Sequence, residues 1–137
     1  MYEIFDDFTK ASTRDEKIAT LRKNECYALL NVLQGTFDPR ISFTVEKVPK
    51  YKPSDAPPGM GYSTIHQELS RVYLFESNNP KVSSNLSAKR KEEILIQILE
   101  VLEKREAEIF MNMLMKKPKV QGLTEKIVRE AFPNLLP

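Results

Sequence analysis

Between Ser87 and Met115 the chain carries the pattern that most limits its fold, two apolar runs at helical spacing on either side of a charged interval. Ile94, Leu95, Ile98, Leu99 and Leu102 recur three and four residues apart, and Ala107, Phe110, Met111, Leu114 and Met115 continue the rhythm. That spacing stacks side chains on one face of a helix, and a stripe this broad must be covered by other elements. The interval EKRE at 103–106 leaves open whether 87–117 is one helix or two. Pro118 ends the last turn, because it lacks a backbone donor and restricts the residue before it.

The remaining segments supply the covering elements. Thr13 followed by Glu16 has the spacing of a capping box, Ile18, Leu21, Cys26, Leu29, Leu30 and Leu33 share a face, and Gly35 supplies a stop. These features predict a helix over 14–34. Thr124 before Ile127, Val128, Ala131 and Phe132 predicts a short final helix that Pro133 closes. Ile41, Phe43 and Val45 alternate with polar residues as in a half-buried strand, whereas STIHQELSRVYLFE reads as a helix whose VYLF end could instead extend.

Proline and glycine crowd the stretch near 47–62, which predicts an irregular surface loop, and residues 1–11 form an arm in which aromatics alternate with acids. With 137 residues and 41% hydrophobic content the chain can build one core and not two. The expected fold is a single compact helical domain over 12–137, mainly α, or α+β if the extended segments pair as one short hairpin.

Chemistry finds little purchase in this pattern. His66 is the one histidine and has no partner at ligand spacing, so no metal site is expected. Cys26 stands alone, which excludes an intrachain disulfide, and its apolar neighbours mark it as a small buried hydrophobe. Glu92, Glu93, Glu100, Glu103, Glu106 and Glu108 sit in charged helical sequence, where solvation rather than acid/base work is the ordinary outcome. PPGMG lacks the lysine and spacing of a phosphate loop, and Ser63 and Thr64 have no activating base nearby. The expected protein has no catalytic residues and no cofactor.

Two binding chemistries remain. In YEIFDDF and its continuation, Phe5, Asp6, Asp7 and Phe8 offer aromatic anchors and charge to a protein partner, with Met111, Met113 and Met115 as an adaptable surface. At the other end Lys116, Lys117, Lys119, Lys126 and Arg129 could contact phosphates. A formal charge of +2 gives that second reading no support from bulk electrostatics. Glu125 and Glu130 share the final helix, and the connection from Pro118 to Thr124 is long for a helix-turn-helix.

LRKNECYALLNVLQGTFDPRISF, VYLF, ILIQILEVLEKREAEIFMNML and GLTEKIVREAFPNLL resemble an uncharacterised family of small proteins encoded by large tailed phages. The resemblance spans about residues 21–136, and FDPR at 37–40 with GLTEKIVREAFP at 122–133 carries most of it. It implies a phage setting and defines no catalytic residue. The reading that follows is a non-enzymatic phage accessory or assembly protein that binds a phage or host protein. A small nucleic-acid-associated factor using the basic C-terminal end is the alternative. The chain has neither a secretory signal pattern nor an apolar run fit to span a membrane, so host cytoplasm is the expected location, with association with the virion left open.

Overall fold

The computed structural model describes residues 1–57, 61, 63–77, 79–83 and 85–137. The centre of the Pro/Gly-rich loop at 58–60 lies outside them, as do Tyr62, Asn78 and Ser84. Among the described residues the helices are α1 (Tyr2–Lys10), α2 (Arg14–Lys23), α3 (Tyr27–Phe37), α4 (Ile65–Glu68), α5 (Ala88–Val101), α6 (Lys104–Leu114) and α7 (Glu125–Ala131). The chain after α4 tightens into a 3₁₀ helix at Leu69–Phe75. The fold is mainly α, and among the described residues pairing between extended segments is limited to one antiparallel bridge, Phe43 with Glu76.

The two apolar runs become two helices. Leu102 adopts an extended backbone, and the Glu103 carboxylate accepts from the N–H groups of Arg105 and Glu106. The charged interval therefore starts α6, with a buried glutamate satisfying donors that the first turn leaves free. α6 then lies at the centre of the packing, in contact with α1, α3, α4 and α5. Phe110, Met111, Met113 and Leu114 are buried there and Met115 is half-buried against the core, so Met111 and Met113 are core rather than contact surface.

The helix expected over 14–34 is also divided. Asn24 ends α2, its side-chain amide donating to the Thr20 carbonyl at 2.8 Å, and Cys26 reopens the chain as the N-cap of α3. Its thiol sulfur accepts from Leu29 N–H at 3.5 Å, so Cys26 is a half-buried cap and not the buried hydrophobe its neighbours implied. Thr13 caps α2 as expected, while the Glu16 carboxylate turns to the N–H and hydroxyl of Ser12.

Gly35 does not stop α3. It sits inside the helix where α6 approaches, and a Cβ built there would lie 2.9 Å from the Met113 sulfur. The stop falls at Asp38 and Pro39, where the extended Asp38 backbone obeys the restriction that a following proline imposes.

The first eleven residues belong to the same packing. α1 rests on α2 and α6, Phe5 and Phe8 are buried, and the Met1 amine pairs with Glu106 at 3.0 Å. What the sequence presented as an arm is the amphipathic helix that closes one side of the core.

Candidate nucleic-acid interface

Between α6 and α7 the backbone enters the left-handed region three times, at Lys116 (φ 55°), Lys119 (φ 48°) and Gly122 (φ 84°). At Lys116 the reason is visible. Lys117 N–H bonds the Asn112 carbonyl and Lys116 N–H bonds the Met113 carbonyl, both at 3.0 Å, which is the Schellman closure of a helix with lysine at the position glycine usually takes. A side chain there costs about 1–2 kcal/mol of backbone strain. Lys116 offsets part of that cost by donating to the Asp38 carbonyl at 2.9 Å, with its ammonium 5.8 Å from the Phe43 ring centre. Burial lowers its pKa from the ordinary lysine value, opposed by the nearby Asp38 charge.

The five cations proposed from sequence therefore separate. Lys116 turns inward as an anchor, and Arg129 is held by Glu125 at 2.7 Å and by the Pro137 carbonyl. Lys117, Lys119 and Lys126 are exposed and have no ion pair among the described residues. Thr124 caps α7 as expected, turning Ile127, Val128 and Ala131 inward.

The fold enlarges this basic end with residues that sequence reading passed over. α2 packs against α7, Arg14 pairs with Glu130, and Arg22 donates to the Glu130 carbonyl at 2.7 Å. Lys17 reaches both ends of the chain: its ammonium donates to the Phe8 carbonyl at 2.9 Å, and its Cε lies 3.5 Å from where a Gly122 Cβ would be. Residues 10–25 and 115–130, brought together by this packing, hold ten basic and five acidic side chains, a net +5 within a chain of +2. No local signal in the sequence marks Lys17, because a lysine on a charged helix has no distinguishing neighbours.

The rival set fares differently. Phe5 and Phe8, expected to anchor a partner, are core residues and present no surface for one. Asp6 accepts two hydrogen bonds from the Arg105 guanidinium, which lies 4.6 Å from the Tyr2 ring centre. The bond from Arg105 keeps the Asp6 carboxyl below its ordinary pKa. Asp7 is exposed. Asp6, Arg105, Glu108 and Lys119 line the same cleft of about 290 Å³ between α1, α6 and the loop, where two carboxylates match two cations and leave no net positive charge to draw phosphate.

The model of a family of unknown function, DUF6433, matches residues 4–121. The chain belongs to that family. In this member the matched span runs from α1 through the Schellman closure and Lys119, and α7 lies beyond it. No curated protein matches the chain. No helix among the described residues is long and apolar enough to cross a membrane.

A second surface lies away from the basic end. Tyr27, 81% exposed at the start of α3, and Tyr73 flank a cleft of about 290 Å³ whose lining includes Gly35, Phe43, Val72 and Met113. Tyrosines placed this way give a partner rigid apolar area with a polar tip.

Proposed function

We propose that this DUF6433 member is a non-enzymatic nucleic-acid-associated factor that grips the phosphate backbone through the loop at 115–124 and the α2 and α7 surface beside it. The observation carrying the proposal is the packing of α2 on α7, which joins two basic segments distant in sequence around a loop held in left-handed backbone. The left-handed backbone at Lys119, outside the helix closure that accounts for Lys116, is the kind of local cost that a binding role explains. The contacts would be electrostatic and indifferent to base sequence. We assign this activity to the cytoplasm of an infected host, a setting that the resemblance to proteins of large tailed phages supports.

A non-enzymatic role is supported by how the buried carboxylates are used. Asp38 is tied to Arg40, Glu68 to Arg71 and Glu103 to the start of α6. Each carboxylate serves structure.

Titrating labelled DNA, single- and double-stranded and about 20 nucleotides long, over a salt series tests the proposal. Replacing Lys117, Lys119 and Lys126 with alanine should weaken binding and flatten the dependence of log K on log salt by about 1 for each phosphate that is no longer neutralised. Unchanged affinity and slope in the triple variant would remove the proposal.

A second reading is an accessory or assembly protein that binds a phage or host protein, and the tyrosine-flanked cleft favours it. A stoichiometric partner that survives nuclease treatment and fails to bind Tyr27→Ala, Tyr73→Ala protein would put this reading first.

A further inference from the structure

The bridge between Phe43 and Glu76 is held by two hydrogen bonds of 2.8 Å, from Ser77 N–H to the Ser42 carbonyl and from Thr44 N–H to the Phe75 carbonyl. This is the wide antiparallel pairing, in which the two facing residues turn their own N–H and C=O groups away from each other. Phe43 thus directs a donor and an acceptor to the outer edge, and among the described residues neither finds a hydrogen-bond partner. The chain bends at Thr44, which keeps this edge short. A free strand edge is a template for another chain.

Two recesses of mixed apolar and polar lining lie along the segment. Ile41 and Phe43 line the tyrosine-flanked cleft, while Val45 lines a larger one of about 650 Å³ with Phe75 and Leu95. An added strand sends every second side chain to the same face, so recesses spaced along the segment suit apolar side chains at alternate positions. The C-terminal flank is positive: residues 47–52 hold Lys47, Lys50 and Lys52 and no acid, whereas Arg40 on the other flank is paired with Asp38. Lys47, Lys50 and Lys52 are exposed and have no ion pair among the described residues.

We infer that the segment 41–46 is a docking edge for a short extended peptide of a partner protein, acidic in charge and apolar at alternate positions, which binds as an added strand beside Phe43. The inference rests on the protein-binding reading given second above and names the partner's chemistry. Opposite charge on the peptide steers its approach, backbone hydrogen bonds to Phe43 set its register, and the recesses select its side chains.

The probe is a synthetic pool of seven-residue peptides alternating Val, Ile or Phe with Asp or Glu, compared with a matched pool carrying Lys at the acidic positions. The intact protein should retain the acidic pool by about tenfold over the basic one, and Lys47→Glu, Lys50→Glu, Lys52→Glu should reverse that preference. N-methylation of alternate amides in a retained peptide should cost about tenfold in one register and little in the other, because only one set faces the edge. The Phe43 amide should become protected from hydrogen exchange when the peptide binds. Equal retention of the two pools, equal tolerance of both N-methylated registers, or binding of a single-stranded oligonucleotide in place of any peptide would overturn the inference. If strand addition fails while partner capture still requires Tyr27 and Tyr73, the protein-binding reading survives without it. If neither holds, both fall.

Discussion

α1 and the loop after α6 both stand out as possible contact surfaces before folding is considered, and the fold treats them in opposite ways. α1 puts Phe5 and Phe8 into the core and ties Asp6 to Arg105, whereas the loop keeps Lys117 and Lys119 exposed and holds two lysines in left-handed backbone. Aromatics three residues apart on a helix are driven inward because burying each gains transfer free energy that a solvent-facing position forgoes. Lysine ammonium groups stay in water unless a partner compensates, as the Asp38 carbonyl does for Lys116. The difference separates residues that build this molecule from residues free to meet another.

Stability should register that contrast most strongly at Phe8. Replacing it with alanine empties a fully buried site and should cost about 3–5 kcal/mol, while Lys119→Ala should stay within about 0.5 kcal/mol. Urea unfolding midpoints for the two variants measure this. A Phe8→Ala protein as stable as the parent would mean that α1 lifts off the core easily, which would make Phe5 and Phe8 candidates for partner binding again.

From α2 to α7 helix existence was legible from apolar spacing, while α1 was read as an arm, and the caps at Thr13 and Thr124 were legible from residue type and position. The helix breaks were harder to read. At Cys26 the cap is a thiol, a weak acceptor that residue preferences do not flag, and at Glu103 the capping carboxylate sits within a run of charges that also suits continuous helix. Gly35 misled for a tertiary reason, since its small size answers to Met113 on another helix. Of the candidate interface, the lysine cluster was visible locally. Its enlargement by α2 depended on packing between the two ends of the chain, to which no local pattern points.

Acid should probe the anchor beneath the loop, because the residue whose carbonyl holds Lys116 also carries a perturbed carboxyl. Hydrogen bonds from the Arg40 side chain outweigh burial and lower the Asp38 pKa from 3.8 to about 2. A carboxyl with a depressed folded pKa contributes stability that is full above its ordinary value and is lost as pH falls through the folded one. The parent should therefore lose this contribution between about pH 3.8 and about pH 2. Asp38→Asn cannot titrate, so it should be less stable than the parent at neutral pH and the gap should narrow across that window. Other carboxylates titrate in both proteins and cancel in the difference. A gap that is constant with pH would show that Arg40, itself 66% exposed, adds nothing at this site.

The smallest effect expected is also the most specific to the loop. In a helix interior alanine is more stable than glycine by about 1 kcal/mol, but at Lys116 the order should invert. Both substitutions lose the bond to the Asp38 carbonyl, a contribution of about 1.5–3 kcal/mol for a charged donor before solvent exposure reduces it. Glycine recovers about 1 kcal/mol by relieving the left-handed backbone, and alanine recovers none. Lys116→Gly should thus unfold at higher urea than Lys116→Ala while remaining near or slightly below the parent. DNA titration of the same pair then separates two roles for the loop. Equal binding by the alanine and glycine variants means that Lys117 and Lys119 act as independent charges; weaker binding by the more stable glycine variant means that the strained backbone holds them in place.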